Sequence, residues 1–101
     1  MLTPDAVRAQ QGPFVYVPNF FDNNVSVIDT PTNAVTGSAI PVGSFPIAAA
    51  VRGDGSLVYV TNSGSSGSVS VINTATNTVV ATVNVGSFPV GVAITGDGTR
   101  V

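Results

Sequence analysis

The chain contains no cysteine, histidine, tryptophan, lysine or glutamate. The lack of cysteine excludes disulfides, thiolate nucleophiles and sulfur ligands for a metal. The lack of histidine removes the side chain that most often acts as a general acid or base near neutral pH. Only 8% of the 101 residues are charged, with three arginines against five aspartates, so no basic stripe can follow a phosphate backbone. We therefore expect no nucleic-acid partner, no metal site and no cofactor.

Long apolar runs are also missing from the sequence. No stretch approaches the roughly 20 residues that a membrane-spanning helix needs, and we expect no membrane insertion. Residues 1–13, an N-terminal segment, carry polar side chains where a secretory signal has an apolar run. We expect no export signal in that segment, and the sequence leaves the cellular location unknown.

A long internal repeat fills most of the chain. Phe14 and Leu57 begin matching segments at an offset of 43 residues, and the segment from Val42 matches the segment from Val85 at the same offset. Ten of the seventeen positions in that second match are identical, including "VGSFP" and "GDG". A repeat of roughly 40 to 50 residues is typical of a β-propeller blade, which is one unit of four strands.

Each repeat divides into four predicted strands. An inner strand rich in small residues ("PIAAAV", "PVGVAIT") leads through "GDG" into "SLVYV", which is apolar on both faces. A polar loop and "VSVI" follow, and "NTATN" then turns the chain into an outer strand, "TVVATVNV". The predicted fold class is all-β, with incomplete β-propeller blades of four antiparallel strands. Residues 14–56 hold a partial blade plus the inner strand and turn of the next, and residues 57–101 hold the second copy and the start of a third.

The segments "VYVTN", "VSVIN", "TATNTVVATVNVG" and "GDG" resemble the YVTN family of β-propeller repeats. The resemblance covers residues 14–101. It implies radial blades of four antiparallel strands, and binding or scaffolding more often than catalysis. It also implies an extracytoplasmic or cell-surface location for a longer parent protein.

The outer strands and two prolines allow sharper expectations. In the second copy, Val79, Ala81, Val83 and Val85 alternate with Thr78, Thr82 and Asn84, which predicts one drier face. The first copy departs from the family pattern with Pro18, where the second copy has threonine, and with Pro41 in its outer strand. Because proline has no amide proton, we expect those strands to be edge-like or bulged there.

The number of repeats bears on the assembly. Propellers close with about 4 to 8 blades, whereas 101 residues hold roughly 2.3 repeats of this length. We expect either a part of a longer propeller or several copies that assemble into a ring. The predicted partners are therefore other propeller blades or copies of this chain. A β-sandwich of the same size is the alternative fold, and the register of the repeat argues against it.

The alternation of strand directions predicts a functional end. "GDG" and "NTATN" should lie at one end of each blade, and "NFFDNN", "NSGSSGS" and "GSFP" at the other, where loops on a rigid scaffold often bind. An aromatic pair in the first loop has no counterpart in the second copy. It could stack on a sugar ring, dock a partner protein, or pack against a neighbouring blade or the N-terminal segment. Phe45 and Phe88, which do repeat, are expected to pack at a strand corner. The candidate binding residues are Asn19, Phe20, Phe21, Asp22, Asn23, Asn24 and Asn62.

Three classes of function stay open at the level of the sequence. The first is a non-catalytic propeller module that binds a protein or a surface glycan. The second is a part of an enzymatic propeller, lactonase-like or cofactor-dependent dehydrogenase-like, whose catalytic residues lie outside this chain. The third is a structural spacer of a surface protein. Asp29 and Asp54 lie in turn or strand-end contexts, so no residue is assigned a catalytic role.

Overall fold

The computed structural model describes residues 13–94. Among these residues there is no helix, and the eight strands are β1 (Phe14–Asn19), β2 (Asn24–Asp29), β3 (Ala34–Val35), β4 (Ile40–Pro41), β5 (Pro46–Val51), β6 (Leu57–Asn62), β7 (Ser68–Asn73) and β8 (Thr78–Asn84). Most of the predicted N-terminal segment and the second GDG turn, residues 96–98, lie outside the described residues.

The strands form two four-stranded antiparallel sheets. In the first sheet β1 pairs with β2, and β2 pairs with both β3 and β4; in the second sheet the order is β5-β6-β7-β8. The second sheet is one complete unit of the repeat, and the first sheet is a partial unit whose outer strand is split into β3 and β4. Apart from that split, strands that follow one another within a sheet are paired, as short turns between them require. The prediction of an all-β fold built from incomplete four-stranded blades is confirmed.

Pro18 and Pro41 both lie at positions where the hydrogen-bonding pattern of the sheet tolerates a proline. The outer strand of the first sheet is split, because β3 and β4 pair with opposite ends of β2 and residues 36–39 interrupt the ladder. Pro18 lies in β1, which is an edge strand within the described part of the chain. The backbone carbonyls of Pro13 and Asn19, both at odd-numbered positions, accept hydrogen bonds from residues on the side of β2. The backbone groups of successive residues point to opposite sides of a strand, so the nitrogen of Pro18, at an even-numbered position, points to the open edge. Its missing N–H therefore costs no hydrogen bond to β2.

The core lies between the two sheets. The first sheet contributes Tyr16, Val25, Val27 and Ile40, and the second contributes Val58, Val60 and Ile72, all of them buried. Most of these side chains are β-branched, which suits the packing of pleated sheets face to face. We call the covered face of the first sheet its front face, and the face of the second sheet that covers it a back face.

A bulge in β8 changes the prediction for the outer strand. Val71 pairs with Ala81 while its neighbour Ile72 pairs with Val79, so one extra residue, Val80, is accommodated in β8. As a result Val79 packs against the core between the sheets, and Val83 lies on the opposite face with Val71. The expectation of a single drier face along this strand was wrong, because the bulge reverses the alternation.

The Tyr16 side chain joins the two blades by a hydrogen bond. The Tyr16 hydroxyl donates to Asn77 Oδ1 at 3.0 Å, and Asn77 lies in the β7–β8 turn with a φ of 53°. Burial raises the pKa of Tyr16 above its usual value. Because the unfolded chain then ionises more readily than the folded one, the stability that Tyr16 contributes is lost as the pH rises above about 10.

We expect Tyr16→Phe to lower the free energy of unfolding by about 1 kcal/mol at neutral pH, since one partly buried hydrogen bond is lost. The variant should also lose less stability than the parent above about pH 10. Urea denaturation in dilute solution measures both effects. Tyr59→Phe is the matched control, because Tyr59 occupies the equivalent position on a face that no described sheet covers. Equal losses in the two variants would contradict a specific role for the Tyr16 bond.

Candidate functional site

Three segments meet at one end of the two blades, which we call the loop end. They are the β1–β2 loop (residues 20–23), the junction between the blades (residues 42–45) and the β6–β7 loop (residues 63–67). The GDG and β7–β8 turns join the strands at the opposite end. This arrangement follows from the antiparallel order of the strands and agrees with the end predicted from the sequence.

Hydrogen bonds from both blades hold the backbone of Phe45. Asn23 Oδ1 accepts from the Phe45 amide at 2.9 Å, and the Val42 amide donates to the Asn23 carbonyl at 3.1 Å. The amide and the hydroxyl of Ser63 both donate to the Phe45 carbonyl, each at 2.8 Å. Phe45 is therefore fixed between the first loop and the second blade.

The backbone of Phe45 adopts an uncommon conformation. Its φ is 57°, and the equivalent Phe88 has a φ of 56°. The left-handed region costs a residue with a side chain about 1–2 kcal/mol, so the surrounding hydrogen bonds must enforce it. Such enforced conformations are frequent at binding sites.

Three phenylalanines form an aromatic cluster at the loop end. The rings of Phe20 and Phe45 stack with centroids 4.9 Å apart, and Phe21 meets Phe20 edge to face at 5.0 Å. Phe20 and Phe45 remain 38% and 41% exposed, and Phe21 is 86% exposed. The expectation that Phe45 packs a strand corner is therefore met only in part. Phe20 packs at the blade junction, whereas Phe21 has almost no packing role.

A cavity of about 220 Å³ lies beside this cluster, and we call it the loop-end cavity. It is smaller than the roughly 300 Å³ at which pockets for drug-sized ligands begin, so it suits one small polar unit. Apart from Phe45, its side chains are hydroxyl and amide groups. The lining residues are Ser44, Phe45, Asn62, Gly64, Ser65, Ser66 and Ser68.

Asn62 joins two strands beside this cavity. It is 1% exposed, and its Nδ2 donates to the hydroxyls of Ser68 at 3.0 Å and Ser70 at 2.9 Å. Its Oδ1 is buried without a hydrogen-bond partner. A Cβ on Gly43 would lie 2.8 Å from the amide carbon of Asn62, so only glycine fits over this side chain. The amide is thus a clip between β6 and β7.

The first blade contains the equivalent clip. Asn19 Nδ2 donates to Asn24 Oδ1 at 2.9 Å and to the Ser26 hydroxyl at 2.8 Å. Asp22 lies exposed in the adjacent turn, and its amide donates to the Asn19 carbonyl at 3.2 Å. The structure therefore brings the six predicted residues 19–24 together in one hairpin, with Asn62 in the corresponding hairpin of the second blade.

Sequence reasoning missed several residues of the site. Ser44, Phe45, Ser65 and Ser66 line the cavity but were not among the candidates. The parity of the strands had already placed "GSFP" and "NSGSSGS" at this end. A search for side chains from neighbouring repeats that converge there would have found them.

Asp29 and Asp54 lie at the opposite end of the blades, and both have structural partners. Asp54 Oδ1 accepts from the hydroxyl of Ser56 at 2.6 Å and from its amide at 2.9 Å, and these bonds lower the pKa of Asp54. Asp29 is buried and accepts from the Thr32 hydroxyl at 2.8 Å. Across residues 13–94, no group of three or more potential metal ligands occurs. Within the same range, no helix is long and apolar enough to cross a membrane.

Two consecutive four-stranded antiparallel sheets, packed face to face and built from one repeat, define a pair of β-propeller blades. The present chain is similar, over 84% of its own length, to a chain of the hydrazine synthase of Kuenenia stuttgartiensis, a propeller-containing protein. The sequence identity is 34% and the TM-score is 0.79. The present chain spans 24% of the length of that chain. No family model and no curated protein matches the sequence.

Proposed function

We propose that this chain is a non-catalytic β-propeller module of the YVTN repeat type that binds a glycan at its loop end. The observation that carries the proposal is the aromatic cluster, which lies partly exposed beside the hydroxyl-lined loop-end cavity. The repeat type is supported by the Asn19 and Asn62 clips. The last residue of "VYVPN" and of "VYVTN" is an asparagine, and in both blades its side chain donates hydrogen bonds to the next strand.

The chemistry of the loop end favours a saccharide over a protein partner. The face of an aromatic ring is electron-rich and attracts C–H groups, which a sugar ring presents on its apolar side. Serine hydroxyls and backbone groups beside the ring can bond the hydroxyls of the sugar. Asp22 is the charged side chain in the three loops, so the site offers little to a charged partner. The small cavity also suits one sugar unit better than a large side chain.

The exposure of Phe21 argues that it serves recognition. A side chain that is 86% exposed adds little to the stability of the fold, and a large aromatic side chain in that position is typical of an interaction site. The loop places it next to Phe20, whose ring is held by Phe45. Because the ring of Phe20 is already held by Phe45, this part of the cluster needs little ordering when a ligand binds, which lowers the entropic cost of binding.

We expect Phe21→Ser to weaken glycan binding by at least about tenfold, which corresponds to about 1.4 kcal/mol, while the melting temperature stays unchanged. Binding is measured on an array of oligosaccharides and confirmed by calorimetry with the best probe. Val80→Ser is the control, because Val80 is 57% exposed and lies near the other end of the second sheet. If no oligosaccharide binds the parent chain, or if both variants lose binding equally, the glycan proposal is wrong. Capture of a protein through Phe21 would favour the protein-docking alternative.

A further inference from the structure

The front face of the second sheet is an uncovered apolar groove of about 270 Å³, which we call the front-face groove. Its lining is apolar apart from one phenol hydroxyl. The side chains are those of Tyr59, Val69, Val71, Val83, Val85 and Val92. Val83 and Val85 are 52% and 42% exposed, which is unusual for neighbouring aliphatic side chains on one face.

The first sheet shows what covers this kind of face. Val25 pairs with Ile40 there, as Val69 pairs with Val83 in the second sheet, so the two front faces are built in the same register. On the first sheet, Val25 and Ile40 are only 0% and 3% exposed. The cover is the back face of the following sheet, and the same kind of back face therefore fits the groove.

A later segment of the same chain already contacts the groove through Val92. Residues 90–94 are the repeat equivalents of the residues of β5 that follow Pro46, and Val92 corresponds to Ala49. Ala49 packs against the core below the first front face, and Val92 lines the groove in the same way. Within the described part of the chain, however, residues 90–94 pair with no strand. They occupy the position of the inner strand of a third sheet.

The first sheet offers the matching surface. Its β1 edge has no partner strand among residues 13–94. Its back face carries Val15, Val17, Ile28 and Val35, the equivalents of the side chains of the second sheet that cover the first. Val15 and Val35 are 45% and 65% exposed. Asn33 has a φ of 54°, the same conformation as its equivalent Asn77.

We propose that the front-face groove binds the first sheet of a second copy of this chain, head to tail. Residues 90–94 pair with β1 of the second copy, with one ladder bond missing at Pro18, which has no N–H to donate. The back face of that copy covers Val83 and Val85. The Tyr59 hydroxyl donates to Asn33 of the second copy, as Tyr16 donates to Asn77 within one chain. Since the two contact surfaces differ, the association continues until a ring closes or a filament forms. This interface is independent of the loop end and of its ligand.

The test is sedimentation velocity of the full chain over a concentration series. We expect the parent chain to associate, and Val83→Glu and Val15→Glu each to sediment as monomers, because each variant places a charge in one apolar surface. Both positions are about half exposed in the single chain, so circular dichroism should be unchanged. Val80→Glu, on the same strand as Val83 but outside the groove, should associate like the parent.

Mixing the two monomeric variants distinguishes the head-to-tail contact from other associations. The Val15→Glu chain keeps an intact groove and the Val83→Glu chain keeps an intact back face, so the mixture should form 1:1 dimers and nothing larger. Hydrogen exchange of the amides of residues 90–94 should slow at least about tenfold in the mixture, since those amides gain strand partners. The proposal is overturned by a parent chain that stays monomeric, by a mixture without dimers, or by loss of association in Val80→Glu.

Discussion

Asn62→Asp is expected to lower the free energy of unfolding by about 3–5 kcal/mol at pH 7, the cost of leaving a buried charge uncompensated. The side chain is 1% exposed beneath Gly43. The hydroxyls of Ser68 and Ser70 can turn to donate to one carboxylate oxygen. The other oxygen takes the place of Asn62 Oδ1, which has no hydrogen-bond partner. Arg52 cannot neutralise the new charge, because it lies beside Asp54 at the GDG turn, at the opposite end of the sheet. A loss of this size is a large part of the 5–15 kcal/mol that stabilises a typical domain.

The pH dependence of this variant gives a second readout. Burial raises the folded-state pKa of the new carboxyl above its unfolded value of about 3.9. Stability is therefore retained below that unfolded pKa and is lost as the pH rises through the folded-state pKa. Urea midpoints of the variant and the parent should converge as the pH approaches about 3.5 and diverge towards neutrality.

Asn19→Asp is the matched control for the buried clip. Asn19 makes the equivalent hydrogen bonds in the first blade, but it is partly exposed and nothing equivalent to Gly43 covers it within residues 13–94. We expect it to cost less than about 1 kcal/mol, because a solvated carboxylate keeps most of its hydration. Equal losses in the two variants, or an Asn62→Asp variant as stable as the parent, would contradict the buried position of Asn62.

Most of the fold that could be predicted from the sequence was predicted from the internal repeat. Two copies at a fixed offset placed β5 to β8 in the right order, because alternation and turn residues recur in both copies. The sequence did not show the bulge at Val80, since a bulge depends on how β7 and β8 pair rather than on the alternation of one strand. It also predicted a strand from Pro89 onward. Residues 90–94 are not a strand in the structure, because a strand needs a paired neighbour.

The candidate site was predicted less completely than the fold. Phe20 and Phe21 stood out because the second copy lacks them, and the structure places both in the aromatic cluster. Phe45, which stacks on Phe20, belongs to the repeated pattern, and its identity does not reveal the positive φ that it adopts. The burial of Asn62 depends on Gly43, which is 19 positions away in the sequence and reaches it only through the junction of the blades.

Inserting a second copy of residues 53–95 directly after residue 95 is expected to raise the melting temperature of the chain in dilute solution. The inserted copy brings a complete back face to the front-face groove, in the register that the first two sheets already use. Burying a valine completely is worth about 1.5–3 kcal/mol. Because Val83 and Val85 are about half exposed, the pair alone contributes about 2 kcal/mol.

A gain of this size corresponds to a rise of roughly 4–8 °C for the extended chain, which is about 150 residues long. Further copies should each add a similar increment, because stacked repeats are stabilised by nearest-neighbour interfaces. A larger jump should appear when the ring closes, within about 4–8 blades, since closure covers the last groove and the last back face together. Circular dichroism melts and sedimentation of the series measure the increments and the change to a compact monomer.

The matched control carries Val58→Asp and Val60→Asp in the inserted copy alone. It has the same length and the same turns, but its back face can no longer cover the groove, because two charges would be buried between the sheets. We expect this control to melt at or below the temperature of the parent chain. If the unmodified insertion also leaves the melting temperature unchanged, the sheets do not stack as neighbouring blades. The assignment of residues 90–94 to the inner strand of a third sheet would then be wrong.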